Sequence, residues 1–241
     1  MTLLLLTGSL IFVLNFGAFF VHAEDGAIVV IDNLQHVRKL AEKGDLQAQE
    51  KLAGMYLTGN GVEKDFVEAA AWYRKAADHG LANAQCALGA MYAVGWGVGK
   101  DSKEAVKWYE MAAEKGLPVA QYNLGAMYLQ GHGVVQNNEI AMEWFRKAAD
   151  QGNAMAQFNL AGGYYEGRGV PKNLNESAKW CSKAAEGGDL QAQYQLGLMY
   201  SKGEGLPKDM QEAAIWLRKA AEKGFTPAKN ALISLEENGR P

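Results

Sequence analysis

The sequence predicts an all-α protein, an α/α superhelical solenoid of helix-pair repeats, and three observations carry that prediction. Trp72, Trp108, Trp144, Trp180 and Trp216 are each separated by 36 residues, with only Trp96 outside the series. The same step joins Tyr56, Tyr92, Tyr128, Tyr164 and Tyr200, and also Gly44, Gly80, Gly116, Gly152, Gly188 and Gly224. Within each period the apolar residues twice follow the spacing of a helix face. A period of this size signals supersecondary units that stack and bury their faces against one another.

The chain opens on an apolar run from Leu3 to Val21 without Lys or Arg, ending in Val21-His22-Ala23 before Glu24 and Asp25. This reads as a secretory signal over 1–23 with cleavage after Ala23. An uncleaved anchor is the alternative, because the run approaches the ~20 residues that span a bilayer. No Cys stands near its end, so the lipoprotein type of signal is absent.

Residues 24–44 read as an N-terminal capping half-repeat, its "DNLQHVRKLAEKG" matching the second helix of a unit, with Val37 and Leu40 as core. Five full repeats follow at 45–80, 81–116, 117–152, 153–188 and 189–224. In the first helix of each, typified by "PVAQYNLGAMYLQG", Ala120, Leu124 and Tyr128 share a buried face. In the second, "NEIAMEWFRKAADQG", Ala141, Trp144, Phe145, Ala148 and Ala149 form the apolar stripe while Glu143, Arg146 and Lys147 face water. Residues 225–241 form a C-terminal capping helix that uses Leu232 and Leu235.

Between the helices stands a doubled glycine: Gly59-Asn60-Gly61, Gly95-Trp96-Gly97, Gly131-His132-Gly133, Gly167-Arg168-Gly169 and Gly203-Glu204-Gly205. A phosphate-binding loop needs a preceding strand and a single special site, and neither is present. The glycines are helix punctuation, the first stopping a helix in the left-handed conformation and the second letting the chain reverse. Asp65/Glu68, Asp101/Glu104, Asn173/Glu176 and Asp209/Glu212 then look like capping boxes.

The run "AQxxLGxMYxxGxGVxxDxxEAxxWYxKAAExG", most complete over 84–116, resembles the Sel-1-like repeat, a branch of the tetratricopeptide-like helical pairs. The resemblance covers 32–239 and implies a right-handed superhelix with a concave groove, in proteins that assemble or tether others, often at a bacterial envelope or host interface. Two places depart from the pattern. Gln136-Asn137-Asn138 replaces the usual Lys-Asp, and "LAGGYYEG" puts Gly163 where methionine is expected, which predicts a looser fourth unit. One branch of the family staples each pair with a disulfide, and some of its members bind or hydrolyse β-lactams. Here Cys86 and Cys181 stand 95 residues apart, about 2.6 units, so two free thiols are expected and the activity is not carried over. Cys181 takes the place of Tyr73 and Tyr109, which reads as core packing.

Chemistry is hard to place. His36, His79 and His132 fall in separate units without metal-ligand spacing, no serine sits in a nucleophile elbow, and the carboxylates recur at solvated helix ends. No catalytic, cofactor or metal residue is assigned. With a net charge of −3 and basic residues scattered among acidic ones, nucleic acid is not an expected partner. Asn175-Glu176-Ser177 matches a glycosylation acceptor but reads better as a helix start.

Binding is the stronger case. By the geometry of the resemblance, Cys86, Tyr122, Phe158 and Tyr194 face the groove, with Ala93, Leu129, Tyr165 and Ser201 seven residues later. Tyr122, Leu129, Phe158, Tyr165 and Tyr194 would form an aromatic floor for a protein or peptide, or else pack against the next repeat. Trp96 either folds back on the adjacent helix or makes a contact of its own. The expected protein is an exported, monomeric scaffold that touches a membrane only if its N-terminal segment is retained. A β-lactam-directed activity and binding of cell-wall polysaccharide are the alternatives.

Overall fold

The computed structural model describes the backbone of residues 4–6, 9–11, 18–22 and 28–238, and side chains over 34–235. The expected cleavage point after Ala23 and the last residues, 239–241, lie outside the described residues. Ahead of the repeats the described backbone pairs β1 (Leu4–Leu6) with β2 (Ser9–Ile11), and β3 (Ala18–His22) with β4 (Ile28–Asp32), each antiparallel. From Asn33 onward the protein is helical, with twelve α-helices among the described residues. No helix among them is long and apolar enough to cross a membrane.

The chain divides at Asp101 into two units. In the first, α1 (Asn33–Glu42), α2 (Leu46–Thr58), α3 (Phe66–Asp78) and α4 (Ala82–Val94) pack in succession, each on the next. In α1 the buried face runs through Val37 and Ala41, one helical turn apart. Leu40, expected in the core, is 36% exposed, at the edge of the face that Val37 and Ala41 bury. Alanines at 69, 70, 76 and 77 are nearly solvent-free, so α3 can approach its neighbours closely while Trp72 and Tyr73 fill what remains.

Asp45 and Asp65 cap α2 and α3, the Asp65 carboxylate accepting from the Val67 and Glu68 amides at 2.8 and 3.1 Å. The capping box is only half realised. The Asp65 amide donates to the Tyr56 carbonyl at 3.0 Å, so Glu68 is released and accepts from Trp72 Nε1 instead. The second glycine of the loop does more than reverse the chain: at Gly97 a Cβ would lie 1.8 Å from the Phe66 carbonyl oxygen, so only glycine lets the loop press on the start of α3.

The second unit comprises α5 (Ser102–Glu114), α6 (Pro118–Gln130), α7 (Asn138–Asp150), α8 (Ala154–Glu166), α9 (Leu174–Glu186), α10 (Leu190–Lys202), α11 (Met210–Glu222) and α12 (Thr226–Asn238), again packed in succession. Phe145, Leu160, Met142, Cys181, Leu196 and Met199 sit in its central core. Leu217, Ala220, Ala221 and Ala228 continue the core toward the C-terminus, with Leu232 and Leu235 half-buried against them as expected of a cap. Asn137 accepts from the Ile140 amide and so does the work of the missing Asp.

A buried glutamine recurs on the first helix of each pair. Gln121, Gln157 and Gln193 donate Nε2 to the carbonyls of Ala113, Ala149 and Ala185 at 3.2, 3.1 and 3.0 Å, and Gln49 and Gln85 do the same in the first unit. Each is a second bond to a carbonyl in the last turn of the preceding helix, which already accepts from the loop glycine amide, and contributes on the order of 1 kcal/mol net. Arg146 and Lys147 do not simply face water. Arg146 is half-buried, donates to the Tyr164 hydroxyl and lies over the Tyr164 and Trp180 rings, and Lys147 Nζ is 3.8 Å from the Trp144 centroid.

Candidate functional site

The fourth repeat differs from its siblings at several linked positions, and the differences converge in space. Where the other second helices carry Tyr73, Tyr109, Phe145 and Leu217, α9 carries Cys181, and where they carry alanine it carries Ser177. The facing helix, α8, adds Gly163, and has Gly162 where the first repeat has Gly54 and the others have Ala90, Ala126 and Leu198. Gly163 is compensated from within: a Cβ there would meet Met142 Sδ at 2.4 Å, so the methionine absent from α8 is supplied by α7. The expected looseness at Gly163 is therefore filled. At Gly162 a Cβ would meet nothing within 4 Å.

The outcome is a cavity of about 310 Å³ among α8, α9 and α10. Ala161, Gly162, Ser177 and Cys181 make small-residue walls, Phe158 and Tyr165 contribute rings, and Asn159, Glu166, Arg168 and Gln195 complete the lining. The polar groups of the small-residue wall are already committed: Ser177 Oγ donates to the Ala161 carbonyl at 2.9 Å and Cys181 Sγ to the Ala192 carbonyl at 3.4 Å. Burial, with Asp189 adding to it, pushes the Cys181 thiol up to about 12, so at neutral pH it is a small apolar group rather than a nucleophile. Tyr165 donates its hydroxyl to Glu204 Oε2 at 3.0 Å, which fixes the ring and raises its phenol above the usual range. Arg168 Nε lies 3.1 Å from Glu166 Oε2, close enough for an ion pair, yet this buried N–H makes no hydrogen bond.

Of the residues expected on the binding face, Phe158 and Tyr165 meet in this cavity. Tyr122 and Leu129 are half-buried against the same core, the Tyr122 ring 5.7 Å from that of Phe145. Tyr194 is likewise half-buried, 5.7 Å from the Phe225 ring. Each of these rings packs inward against its neighbours and is half-buried. Cys86, placed on the groove by the resemblance, is buried. Trp96 folds back, its ring stacked on Phe66 at 5.2 Å and 13°, and stays 46% exposed. His36, His79 and His132 are exposed, and no group of three His, Cys, Asp or Glu suited to a metal occurs among the described residues. A second hollow, of about 520 Å³ along α7, is lined by Glu139, Glu143 and Asp150 with Arg146 and Lys147, the two cations already engaged with rings.

A family profile described as Sel1 repeat matches residues 46–81, 82–117, 118–153, 154–189 and 190–225. The chain belongs to the Sel1 repeat family. Among solved structures, a protective antigen present in uropathogenic Escherichia coli strains, displaying an SLR fold, is 40% identical with a TM-score of 0.83 over 86% of this chain and 44% of that one. A Sel1 repeat protein from Oxalobacter formigenes is 37% identical with a TM-score of 0.78 over 84% of this chain and 59% of that one. This chain therefore spans less than two thirds of either relative. An immunity protein from Pseudomonas aeruginosa, 23% identical with a TM-score of 0.52 over 81% of this chain and 75% of that one, shares the fold. Comparison with curated proteins gives no match. The family fold is a helical-repeat solenoid of the kind generally used for protein–protein interaction.

Residue-by-residue reading of the sequence missed Ser177, Gly162, Arg168 and Gln195 as a group. The signal was present as departure from the repeat rather than conformity to it, since a cavity forms where one copy stops filling the place its siblings fill.

Proposed function

We propose that this Sel1 repeat protein is an exported scaffold that binds a protein or peptide partner on the first-helix face of its repeats, and has no chemistry of its own. The observation that carries the reading is the meeting of Phe158 and Tyr165 in one open cavity, with Tyr122, Leu129 and Tyr194 half-buried on the neighbouring first helices. Aromatic rings held firmly by a scaffold, each with an edge left outward, make low-entropy anchors for a partner. Trp96, half exposed on its loop, is a separate contact point. The buried, protonated thiol and the scattered exposed histidines favour recognition over catalysis. Export is supported by the apolar run before Ala23 and by the likeness to a protective antigen. The chain acts as a monomer.

Affinity capture from the native envelope fraction tests the reading, with wild type beside a Tyr122→Ala/Phe158→Ala/Tyr165→Ala variant whose helix content is checked by circular dichroism. A partner held by wild type and lost by the variant supports it. Equal capture by both, or by neither, would sink it. Sequencing the N-terminus of the exported protein should give Glu24 as the first residue, and an intact N-terminus would instead indicate an anchor.

A further inference from the structure

Phe158 occupies the place in α8 that Tyr122 occupies in α6, 36 residues earlier. Beneath Tyr122 lies the fully buried ring of Phe145, and Phe145 in turn is seated on Gly125, where a Cβ would come within 2.8 Å of that ring. The counterparts one repeat later are Cys181 for Phe145 and Ala161 for Gly125. A thiol is far smaller than a phenyl ring, and the single methyl gained at Ala161 takes up only part of the difference. The rest of the space stays open beside Gly162 as part of the cavity of about 310 Å³. An interior that packs as densely as this one closes such gaps when a neighbouring side chain can reach them, as Met142 does at Gly163. Here a pocket of about 310 Å³ remains, lined by the half-buried Phe158 and Tyr165 and by the buried Ala161, Ser177 and Cys181.

We propose that the cavity receives the aromatic side chain of a peptide, its ring taking the place beneath Phe158 that Phe145 takes beneath Tyr122. The proposal rests on the partner-binding reading and names the chemistry of the partner's anchor. The ring contact is of the tilted kind already present at Tyr122, where centroids stand 5.7 Å apart at 38°. Ser177 and Cys181 donate to backbone carbonyls, and Ala161 and Gly162 complete that wall, so burying a charge there is costly and a phenylalanine ring suits the site better than a lysine. At the rim the Gln195 amide supplies a donor for a carbonyl that flanks a peptide's side chain and that a free hydrocarbon lacks. Tyr165, pinned by Glu204, forms a fixed wall at the side.

Titration of the full-length protein, followed by amide chemical shifts, tests this with N-acetyl-glycyl-phenylalanyl-glycinamide as probe and the leucyl, tyrosyl and lysyl analogues as controls. The phenylalanyl peptide should shift the amides of Phe158, Gly162 and Cys181 and bind about tenfold more tightly than the leucyl peptide. Ala161→Gly with Cys181→Phe rebuilds the third repeat's seat inside the fourth, and this pair should fold at least as stably as wild type while losing the probe. Cys181→Ser keeps the space and should keep the probe. Indistinguishable affinities for the four peptides, or undiminished binding by the refilled variant, overturn the proposal. If the probe fails while envelope capture still depends on Tyr122, Phe158 and Tyr165, the pocket assignment falls and the scaffold reading stands. Failure of both removes both.

Discussion

The glycines of the second unit allow a clean separation of two costs, one conformational and one steric. Gly152 has φ +87° and open space where a Cβ would go. Gly131 has φ +70° and would set a Cβ 3.2 Å from Gln136 Cβ, a side chain able to yield a little. Gly133 has φ +76°, and there a Cβ would stand 2.3 Å from the Ser102 carbonyl oxygen and 2.8 Å from the Lys103 amide, both at the start of α5. Placing alanine in the left-handed region costs about 1–2 kcal/mol, offset by several tenths through the stiffer unfolded chain. Gly152→Ala should therefore lose about 1 kcal/mol and Gly131→Ala slightly more. Gly133→Ala must also push a backbone segment aside, an overpacking cost of about 1–3 kcal/mol, for a total of about 2–4 kcal/mol. Urea unfolding followed by circular dichroism measures all three. If Gly133→Ala falls within about 0.5 kcal/mol of Gly152→Ala, the loop merely turns the chain and does not lean on the preceding repeat.

Three further outcomes are expected. Gln157→Leu removes the 3.1 Å donor from the Ala149 carbonyl, which keeps the Gly152 amide at 3.0 Å, and should cost about 0.5–1.5 kcal/mol in the same urea assay. Gly163→Met alone collides with Met142 and should destabilise by about 1–3 kcal/mol, while Met142→Ala with Gly163→Met should recover most of the loss; additive penalties would disprove the size exchange. Cys181, whose thiol is raised from 9.0 to about 12, should react with iodoacetamide at pH 8 about a thousandfold more slowly in the native protein than in urea. The unfolded chain loses this proton first, so stability should fall as pH climbs from about 9 toward 12, and a flat profile for wild type against Cys181→Ala would refute the burial effect.

The period of 36 made the helices, their order and their glycine stops legible, because tryptophan, tyrosine and glycine at fixed intervals leave few other ways to bury the rings. What the pattern could not show is where a repeated polar residue sends its hydrogen bond. Gln157 lies amid apolar neighbours in sequence, and only the approach of two helix ends brings it to the Ala149 carbonyl. The half-made capping box has the same origin, since the competing acceptor, Tyr56, belongs to the previous helix. Exchanges of bulk such as Met142 for the missing side chain at Gly163 join residues 21 positions apart, a distance unrelated to the period. The cavity was half visible: Cys181 in the place of a ring and Gly163 in the place of a methionine both stood out, but nothing in one dimension told which gap a neighbour would close.

Every glutamine clasp reaches back eight residues, and the clasps follow one another at the 36-residue period from Gln49 to Gln193. Excising 36 consecutive residues, or a multiple of 36, from between two clasps would hand each remaining clasp an equivalent carbonyl to grip, whereas a deletion out of step with the period that separates a glutamine from its carbonyl would leave the donor facing the wrong turn. Such a protein can change its length by whole hairpins at little cost to the joints. That gives an economical route between this chain and a relative of which it spans 44%, by duplication or loss of finished parts.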